Sequence, residues 1–180
     1  MMGVWLAFLR GINLGKRQMK MAELRECLEA DGFEAVKTLL ASGNVRFLAD
    51  GSATALKARL EKLMADRFGF AVGVVLRSGE EIEAMLAGHP FARLDPKADV
   101  TRHVLMFDQN LPAGLSLDDR PGHTEILRID RRDIYIAGYR QPNGRYTEGV
   151  EDVLKPLYAK LGKGTLDTMR NWNTIEKMLA

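Results

Sequence analysis

The stretch Val4-Trp5-Leu6-Ala7-Phe8-Leu9 is the longest apolar run near the N-terminus, and it decides how the first part of the chain is interpreted. Its composition favours a strand, which ends at Arg10-Gly11. Because side chains alternate along a strand, apolar residues lie on both faces of the predicted sheet, so both faces should be covered. The run is too short to span a membrane, and no positively charged segment precedes it as in a signal peptide. We therefore expect a cytoplasmic protein of bacterial type.

Apolar spacing after this strand predicts the element order βαββαβ within residues 1–77. The elements that follow the first strand are a helix from Met21 to Gly32, strands at 35–41 and 45–48, a helix carrying Leu56, Leu60, Leu63 and Met64, and a strand at 72–76. The residues Ser42-Gly43-Asn44 form the turn between the second and third strands. This order is typical of a ferredoxin-like plait, an antiparallel sheet with two helices on one face.

The rest of the chain, residues 78–180, predicts a second, smaller α/β subdomain with C-terminal helices, packed against the plait. It opens at Ser78 with a capping box that Glu81 completes. Strands are expected at 103–107, 125–129 and 134–137. A helical stripe from Val150 to Leu161 contains Pro156, so that helix should kink or start late. The spacing of Met169, Trp172, Ile175 and Leu179 predicts a terminal helix. These signals predict an α+β protein of two subdomains.

Composition limits the chemistry that the chain can support. The 180 residues include 26 Lys and Arg against 24 Asp and Glu, a formal net charge of +2 that gives no global argument for a nucleic acid partner. The single cysteine, Cys27, excludes an internal disulfide and a cysteine-based zinc cluster. The three histidines are isolated in sequence, so we expect no metal site and no cofactor.

The charge is nevertheless unevenly distributed. The first 22 residues contain four basic residues and no acid, and all four lie in the loop after the first strand. In a plait the first two strands run in the same direction, so residues 10–20 should lie near the turn at 42–44. This geometry would bring the loop residues near the turn residues, namely Arg10, Asn13, Lys16, Arg17 and Lys20 near Ser42, Gly43 and Asn44.

The start of the first helix, at Met21, lacks the side-chain cap that Ser, Thr, Asp or Asn would provide. Free backbone N–H groups and the helix dipole favour an anion at such a position. A phosphate or carboxylate could therefore serve as the cap. The alternative is a glycine-containing turn with a solvated basic rim.

The segment Arg170-Asn171-Trp172-Asn173-Thr174 is the second polar group. On the predicted terminal helix, Arg170 and Asn173 would share a polar face able to bind a phosphate or a base edge. The alternative is helix capping, because Asn173 and Glu176 have capping-box spacing and Asn171 could also cap.

Four motifs together are similar to the signatures of a bacterial family of uncharacterised proteins, domain of unknown function 1697. They are Phe8–Asn13 (FLRGIN), Lys20–Leu24 (KMAEL), Ser42–Val45 (SGNV) and Thr168–Thr174 (TMRNWNT). The resemblance implies a two-part α/β protein with plait-like subdomains, and it implies no activity. The family often has Val-Gly-Gly after the first motif, whereas this chain has Leu14-Gly15-Lys16, which changes the stiffness of the loop. The polar motif residues correspond to Arg10, Asn13, Lys20, Ser42, Asn44, Arg170, Asn171, Asn173 and Thr174.

These observations predict a protein that binds a phosphate-bearing ligand, either a nucleotide-like small molecule or nucleic acid. Arg10 and Lys20 would supply charge, the polar side chains of the loop and turn would orient the ligand, and Arg170 with Asn173 would close the site. One alternative is an enzyme that uses the same pocket for transfer or hydrolysis, although the sequence gives no obvious general base. A further alternative makes both polar groups structural locks between the subdomains. No membrane partner is expected, and the sequence does not specify an oligomer.

Overall fold

The computed structural model describes residues 2–180, which form eight strands and five helices. In chain order these are β1 (Gly3–Arg10), α1 (Met21–Ala30), β2 (Glu34–Leu39), β3 (Asn44–Ala49), α2 (Ala53–Phe68), β4 (Gly73–Ser78), α3 (Gly79–Ala87), β5 (Val100–Phe107), β6 (Thr124–Ile129), β7 (Asp133–Tyr139), α4 (Val150–Leu161), β8 (Asp167–Asn171) and α5 (Trp172–Met178). The chain divides into two compact units. Unit 1 contains residues 2–84 and Lys177–Ala180, and unit 2 contains Met85–Glu176.

Unit 1 has the predicted plait. Its four strands form one sheet in the order β2-β3-β1-β4, and every neighbouring pair is antiparallel. Helices α1 and α2 contribute Leu24, Leu28, Leu56, Leu60 and Met64 to a core that they share with the sheet. The α+β class predicted from the sequence is therefore confirmed.

The central strand β1 is buried on both faces, as its uninterrupted apolar run predicts. Ala7 and Leu9 belong to the core under α1 and α2 and are 1% and 3% exposed. Leu6 and Phe8, which point to the opposite face, are completely buried. A sheet with one solvated face would alternate apolar and polar residues along this strand, and β1 does not.

Unit 2 repeats the sheet of unit 1. Its strand order is β6-β7-β5-β8, again with every neighbouring pair antiparallel. Counted along the chain, this is the same second-third-first-fourth arrangement as in unit 1. The connection from β7 to β8 contains a helix, α4, but residues 108–123 between β5 and β6 contain none. Unit 2 is comparable in length to unit 1, although the sequence suggested a smaller second subdomain.

The capping box predicted at Ser78 is confirmed, whereas the helix that contains Pro156 does not start late. The Ser78 N–H donates to Glu81 Oε2 at 3.0 Å, and the Glu81 N–H donates to Ser78 Oγ at 3.1 Å, so the capping box forms at the start of α3. The helix α4 runs from Val150 to Leu161 with Pro156 inside it. Among residues 2–180, no helix combines the length and apolar character needed to cross a membrane.

The predicted terminal helix is wrong at its beginning. Met169 and Arg170 lie on β8, where they pair with Leu105 and Val104 of β5, and the helix α5 begins only at Trp172. The periodic apolar residues that suggested one helix therefore belong to a strand and a helix in succession. Pairing with β5 provides the backbone hydrogen bonds that a helix would otherwise have supplied.

Candidate functional site

Residues 10–20, from the last residue of β1 to the residue before α1, are called the basic loop below, and they are held against the turn between β2 and β3. Asn13 connects the two. Its Nδ2 donates to the carbonyl of Ala41 at 2.9 Å, and its Oδ1 accepts from the N–H of Met19 at 2.9 Å. The N–H of Leu9 donates to the carbonyl of Gly43 at 2.9 Å. The juxtaposition that the plait topology predicts is therefore present, and the Asn13 amide contributes to it with both polar atoms.

The turn itself is organised by Asn44, which is completely buried. Its Nδ2 donates to the carbonyl of Leu39 at 2.8 Å and to Ser42 Oγ at 3.1 Å. Gly43 has φ = +89°, and a Cβ at this position would lie 2.7 Å from Ile12 Cδ1. Only glycine fits here, because the backbone conformation and the space available both exclude a side chain. Ser42 and Asn44 thus shape the turn.

The cations of the basic loop are on the surface. Arg10 and Lys20 are both exposed. Helix α1 begins after Lys20, whose side chain makes no capping hydrogen bond, as the sequence predicts. The first bond within the helix joins the N–H of Leu24 to the carbonyl of Lys20 at 3.0 Å, so the preceding N–H groups have no partner inside the helix. Glu23 lies in the first turn, and its Oε2 is 3.7 Å from Arg67 Nη2.

Two neighbouring depressions border the basic loop. The first, of about 250 Å³, is lined by Asn13, Gly15, Arg17, Gln18, Met19 and Lys20. The second, of about 530 Å³, is lined by Leu14, Lys16, Arg17, Gln18, Phe68, Gly69 and Phe70. Arg17 lines both depressions. Its guanidinium carbon is 5.5 Å from the centre of the Phe70 ring, and its Nη1 donates to the carbonyl of Gly11 at 3.4 Å.

Arg17 and Gln18 are missing from the set of ligand-binding residues predicted from the sequence. Arg17 could have been included, because it belongs to the same acid-free run as Arg10 and Lys20. Gln18 carries no comparable signal. Phe68 is the last residue of α2, and Phe70 follows the helix. Their rings could not have been placed beside the loop without the sheet order.

The second polar group lies at the junction of β8 and α5 in unit 2. Arg170 is 8% exposed, and its Nη1 donates to the carbonyl of Met169 at 3.1 Å and to the hydroxyl of Thr168. Burial lowers the pKa of the Arg170 guanidinium to about 10, so the group stays charged at neutral pH. Arg170 thus lies on a strand and does not share a helix face with Asn173, as the sequence had suggested.

The two asparagines of this group have different roles. Asn171 Oδ1 accepts from the N–H of Asn173 at 2.8 Å and so caps α5, which confirms one of the alternatives predicted from the sequence. The predicted capping box between Asn173 and Glu176 is wrong. Asn173 Oδ1 and Glu176 Oε1 both accept from Nη2 of Arg102, a residue of β5 that no sequence motif identifies.

The predicted site residues therefore form two groups in two different units. Arg10, Asn13, Lys20, Ser42 and Asn44 lie in unit 1, and Arg170, Asn171 and Asn173 lie in unit 2. Within residues 2–180, no group of three His, Cys, Asp or Glu residues is arranged to hold a metal ion. The cations of the basic loop and the start of α1 are the features of unit 1 that suit an anion.

Comparisons with known proteins agree with this fold and add no activity. No curated protein matches the chain. The structure of conserved bacterial protein SP0830 from Streptococcus pneumoniae is similar, with a TM-score of 0.71 and 24% identity, over 99% of this chain and 97% of that chain. At this identity the likeness shows the fold alone. The family model described as "Protein of unknown function (DUF1697)" matches residues 2–135, well over half of the chain. The chain therefore belongs to the DUF1697 family of proteins of unknown function.

Proposed function

We propose that the basic loop binds the phosphate group of a ligand, which is either a nucleotide-like small molecule or a nucleic acid. The observation that carries the proposal is the start of α1, where a helix with no side-chain cap follows a loop with four cations and no acid. The N–H groups at a helix start attract anions, and the helix dipole adds to this attraction. A bound phosphate would supply the missing cap.

The depressions beside the loop suggest how a larger ligand would lie. The first is lined by Lys20, the residue immediately before α1, and by Arg17, and these cations suit a phosphate. The second contains Phe68 and Phe70, which suit an apolar or aromatic ring. Arg17 borders both, so it could contact a phosphate and a ring of the same molecule. A nucleotide combines these two chemical groups.

The proposal separates ligand contacts from supporting contacts. Arg10, Arg17 and Lys20 are the proposed ligand contacts, because they are exposed cations of the loop. Asn13 and Asn44 are proposed as positioning residues, because their amides already bind backbone carbonyls. The proposal rests on unit 1 alone and does not require the group at Arg170.

Fluorescence anisotropy of a labelled mononucleotide and a labelled oligonucleotide, titrated with protein at several salt concentrations, tests the proposal. Nucleic acid binding should weaken steeply with salt, because the protein displaces counterions from several phosphates, whereas mononucleotide binding should depend on salt less steeply. The variants Arg17→Ala and Lys20→Ala should each weaken binding.

The matched control is Lys62→Ala, because Lys62 is an exposed lysine of α2 that pairs with Asp66 outside both depressions. It changes the net charge by the same amount and should leave binding unchanged. The proposal is wrong if the wild-type protein binds neither probe, or if Arg17→Ala and Lys20→Ala both bind as the wild type does.

A second candidate role is structural, and the hydrogen bonds of Asn44 favour it. In this role the contact between the SGNV turn and the basic loop stabilises the fold of unit 1 without any ligand. Asn44→Ala would leave the carbonyl of Leu39 without this donor and should lower the melting temperature by several degrees. If the same variant binds both probes normally once folded, the role of Asn44 is structural only.

A further inference from the structure

A separate cavity of about 460 Å³ lies entirely within unit 2. Its walls are residues 89–92, which follow α3, together with Arg102 of β5 and Trp172 and Glu176 of α5. We call it the aromatic cavity. Its volume is within the range of small-molecule sites, which is roughly 300–1,000 Å³. None of its residues belongs to the basic loop, so it is independent of the proposed anion site.

The apolar wall of the aromatic cavity is rigid. Phe91 and Trp172 line it, with ring centres 5.4 Å apart. Tyr135 packs edge-on against both rings, at 6.0 Å from Phe91 and 5.7 Å from Trp172. All three side chains are at least nine-tenths buried. Such a cluster leaves each ring little freedom, so a ligand would meet a wall that is already formed.

The polar wall is an ion pair at the surface. Arg102 Nη2 donates to Glu176 Oε1 at 2.9 Å and to Asn173 Oδ1, and its guanidinium carbon lies 5.8 Å from the centre of the Phe91 ring. Both acceptors bind the same nitrogen, although a guanidinium carries five N–H groups on three nitrogens. The Glu176 carboxylate is on the surface, and it has a second oxygen besides the one that Arg102 binds. The cavity therefore offers hydrogen-bond donors and acceptors side by side, next to aromatic rings.

This combination restricts the chemistry of the ligand. A simple anion does not suit the cavity, because the Glu176 carboxylate already neutralises Arg102 at 2.9 Å. A purely apolar molecule does not suit it either, because it would remove water from Arg102 and Glu176 without replacing the hydrogen bonds. A planar ring with a donor and an acceptor on one edge satisfies both walls. We propose that the aromatic cavity binds a planar heterocycle of the nucleobase class, packed against Phe91 and Trp172 and hydrogen-bonded to Arg102 and Glu176.

The fluorescence of Trp172 provides a direct assay. The chain has two tryptophans, Trp5 and Trp172, so Trp5→Phe leaves the cavity residue as the only indole reporter. This protein is titrated separately with guanosine, adenosine, cytidine and uridine. Trp172 lies in unit 2, outside both depressions of the basic loop, so its fluorescence reports the aromatic cavity. Nucleosides also lack the phosphate on which the proposed function of unit 1 rests, so failure here leaves that proposal untouched. We expect a saturable change with at least one nucleoside below about 1 mM, the weak end of specific affinities.

Two variants locate the binding. Ala92 is exposed and lines the cavity, so Ala92→Phe should fill the space and abolish the fluorescence change. Arg102→Lys keeps the positive charge but loses the planar fork, and it should weaken binding at least about tenfold. The matched control is Ala113→Phe, because Ala113 is another exposed alanine of unit 2 and lines a different depression.

The outcomes are distinct. Saturable binding that Ala92→Phe abolishes and Ala113→Phe preserves supports the proposal. No saturable change with any of the four nucleosides overturns it. Binding that survives both Ala92→Phe and Arg102→Lys also overturns it, because the nucleoside would then be bound elsewhere. Circular dichroism melts of each variant establish that the protein remains folded, and Ala92→Phe is at an exposed position where a larger side chain need not disturb the core.

Discussion

Replacing Gly43 by alanine should destabilise unit 1 through two separate effects. The first is conformational, because Gly43 has φ = +89°, and a residue with a Cβ loses about 1–2 kcal/mol in the left-handed region. The second is steric, because the added Cβ would lie 2.7 Å from Ile12 Cδ1 and 2.9 Å from Leu9 Cβ. Overpacking of this kind costs about 1–3 kcal/mol. The expected loss in the free energy of unfolding is therefore about 2–5 kcal/mol.

Gly15 provides a control that separates the two effects. It has φ = +58°, so alanine there also enters the left-handed region, but no atom lies within 4 Å of the added Cβ. Gly15→Ala should therefore show the conformational cost alone, about 1–2 kcal/mol. The difference between the two variants measures the contact of the turn with Leu9 and Ile12.

Urea unfolding followed by circular dichroism gives both free energies. If Gly43→Ala costs no more than Gly15→Ala, the close packing of the turn against the end of β1 does not contribute to stability. That result would refute the argument that close packing at Gly43 is the reason for a glycine in the SGNV motif.

Two other changes test the helix cap in unit 2 and the half-buried histidine of β5, His103. Asn171→Ala removes the acceptor for the N–H of Asn173 and should cost about 1 kcal/mol in urea unfolding, while an unchanged midpoint would show that the cap is dispensable. Burial lowers the pKa of His103 in the folded protein. As the pH falls below about 6.5, the unfolded chain is therefore protonated at this residue before the folded protein is. The free energy of unfolding then decreases by at most about 1.4 kcal/mol per pH unit from this group. His103→Gln should flatten that part of the curve of unfolding free energy against pH, and an equally steep curve would contradict the assignment.

Unit 1 could be predicted because each of its elements carries its own local signal. Three signals can be identified from local sequence alone: the uninterrupted apolar run of β1, the turn at Ser42–Asn44 and the periodic leucines of α2. The sheet order then follows from the plait topology, and it predicts that the basic loop meets the turn. Local signals and the global fold agree in this unit, which is the condition under which sequence patterns succeed.

The plait in unit 2 could not be predicted for two physical reasons. Residues 108–123 replace the first helix of the plait with an irregular segment, so the βαββαβ order is missing from the sequence. The strand β8 is Asp-Thr-Met-Arg-Asn, a polar sequence with little strand propensity of its own. It is a strand because it pairs with β5 along its length. Tertiary pairing here overrides the local periodicity that favoured a helix.

The sequence predicted that the basic loop lies beside the turn, but it did not predict the contacts that the residues of either polar group make. The topology brings Asn13 near the turn, yet nothing in the sequence shows that its amide binds the carbonyl of Ala41. In the same way, Arg102 lies 71 residues from Asn173 and 74 residues from Glu176, so their cluster has no sequence spacing by which to find it. Hydrogen bonds to backbone atoms, and those between residues far apart in sequence, can be identified only from the three-dimensional structure.

The affinity that the basic loop can supply follows from the exposure of its cations. An exposed ion pair contributes up to about 1 kcal/mol, and a helix start contributes about 0.3–1 kcal/mol. Arg10, Arg17, Lys20 and the start of α1 together therefore supply roughly 4 kcal/mol at most, which corresponds to a dissociation constant of about 1 mM for a lone phosphate. Inorganic phosphate alone should then bind weakly. Tighter binding has to come from a second phosphate or from a ring placed against Phe70, and the mononucleotide and oligonucleotide probes distinguish these two sources.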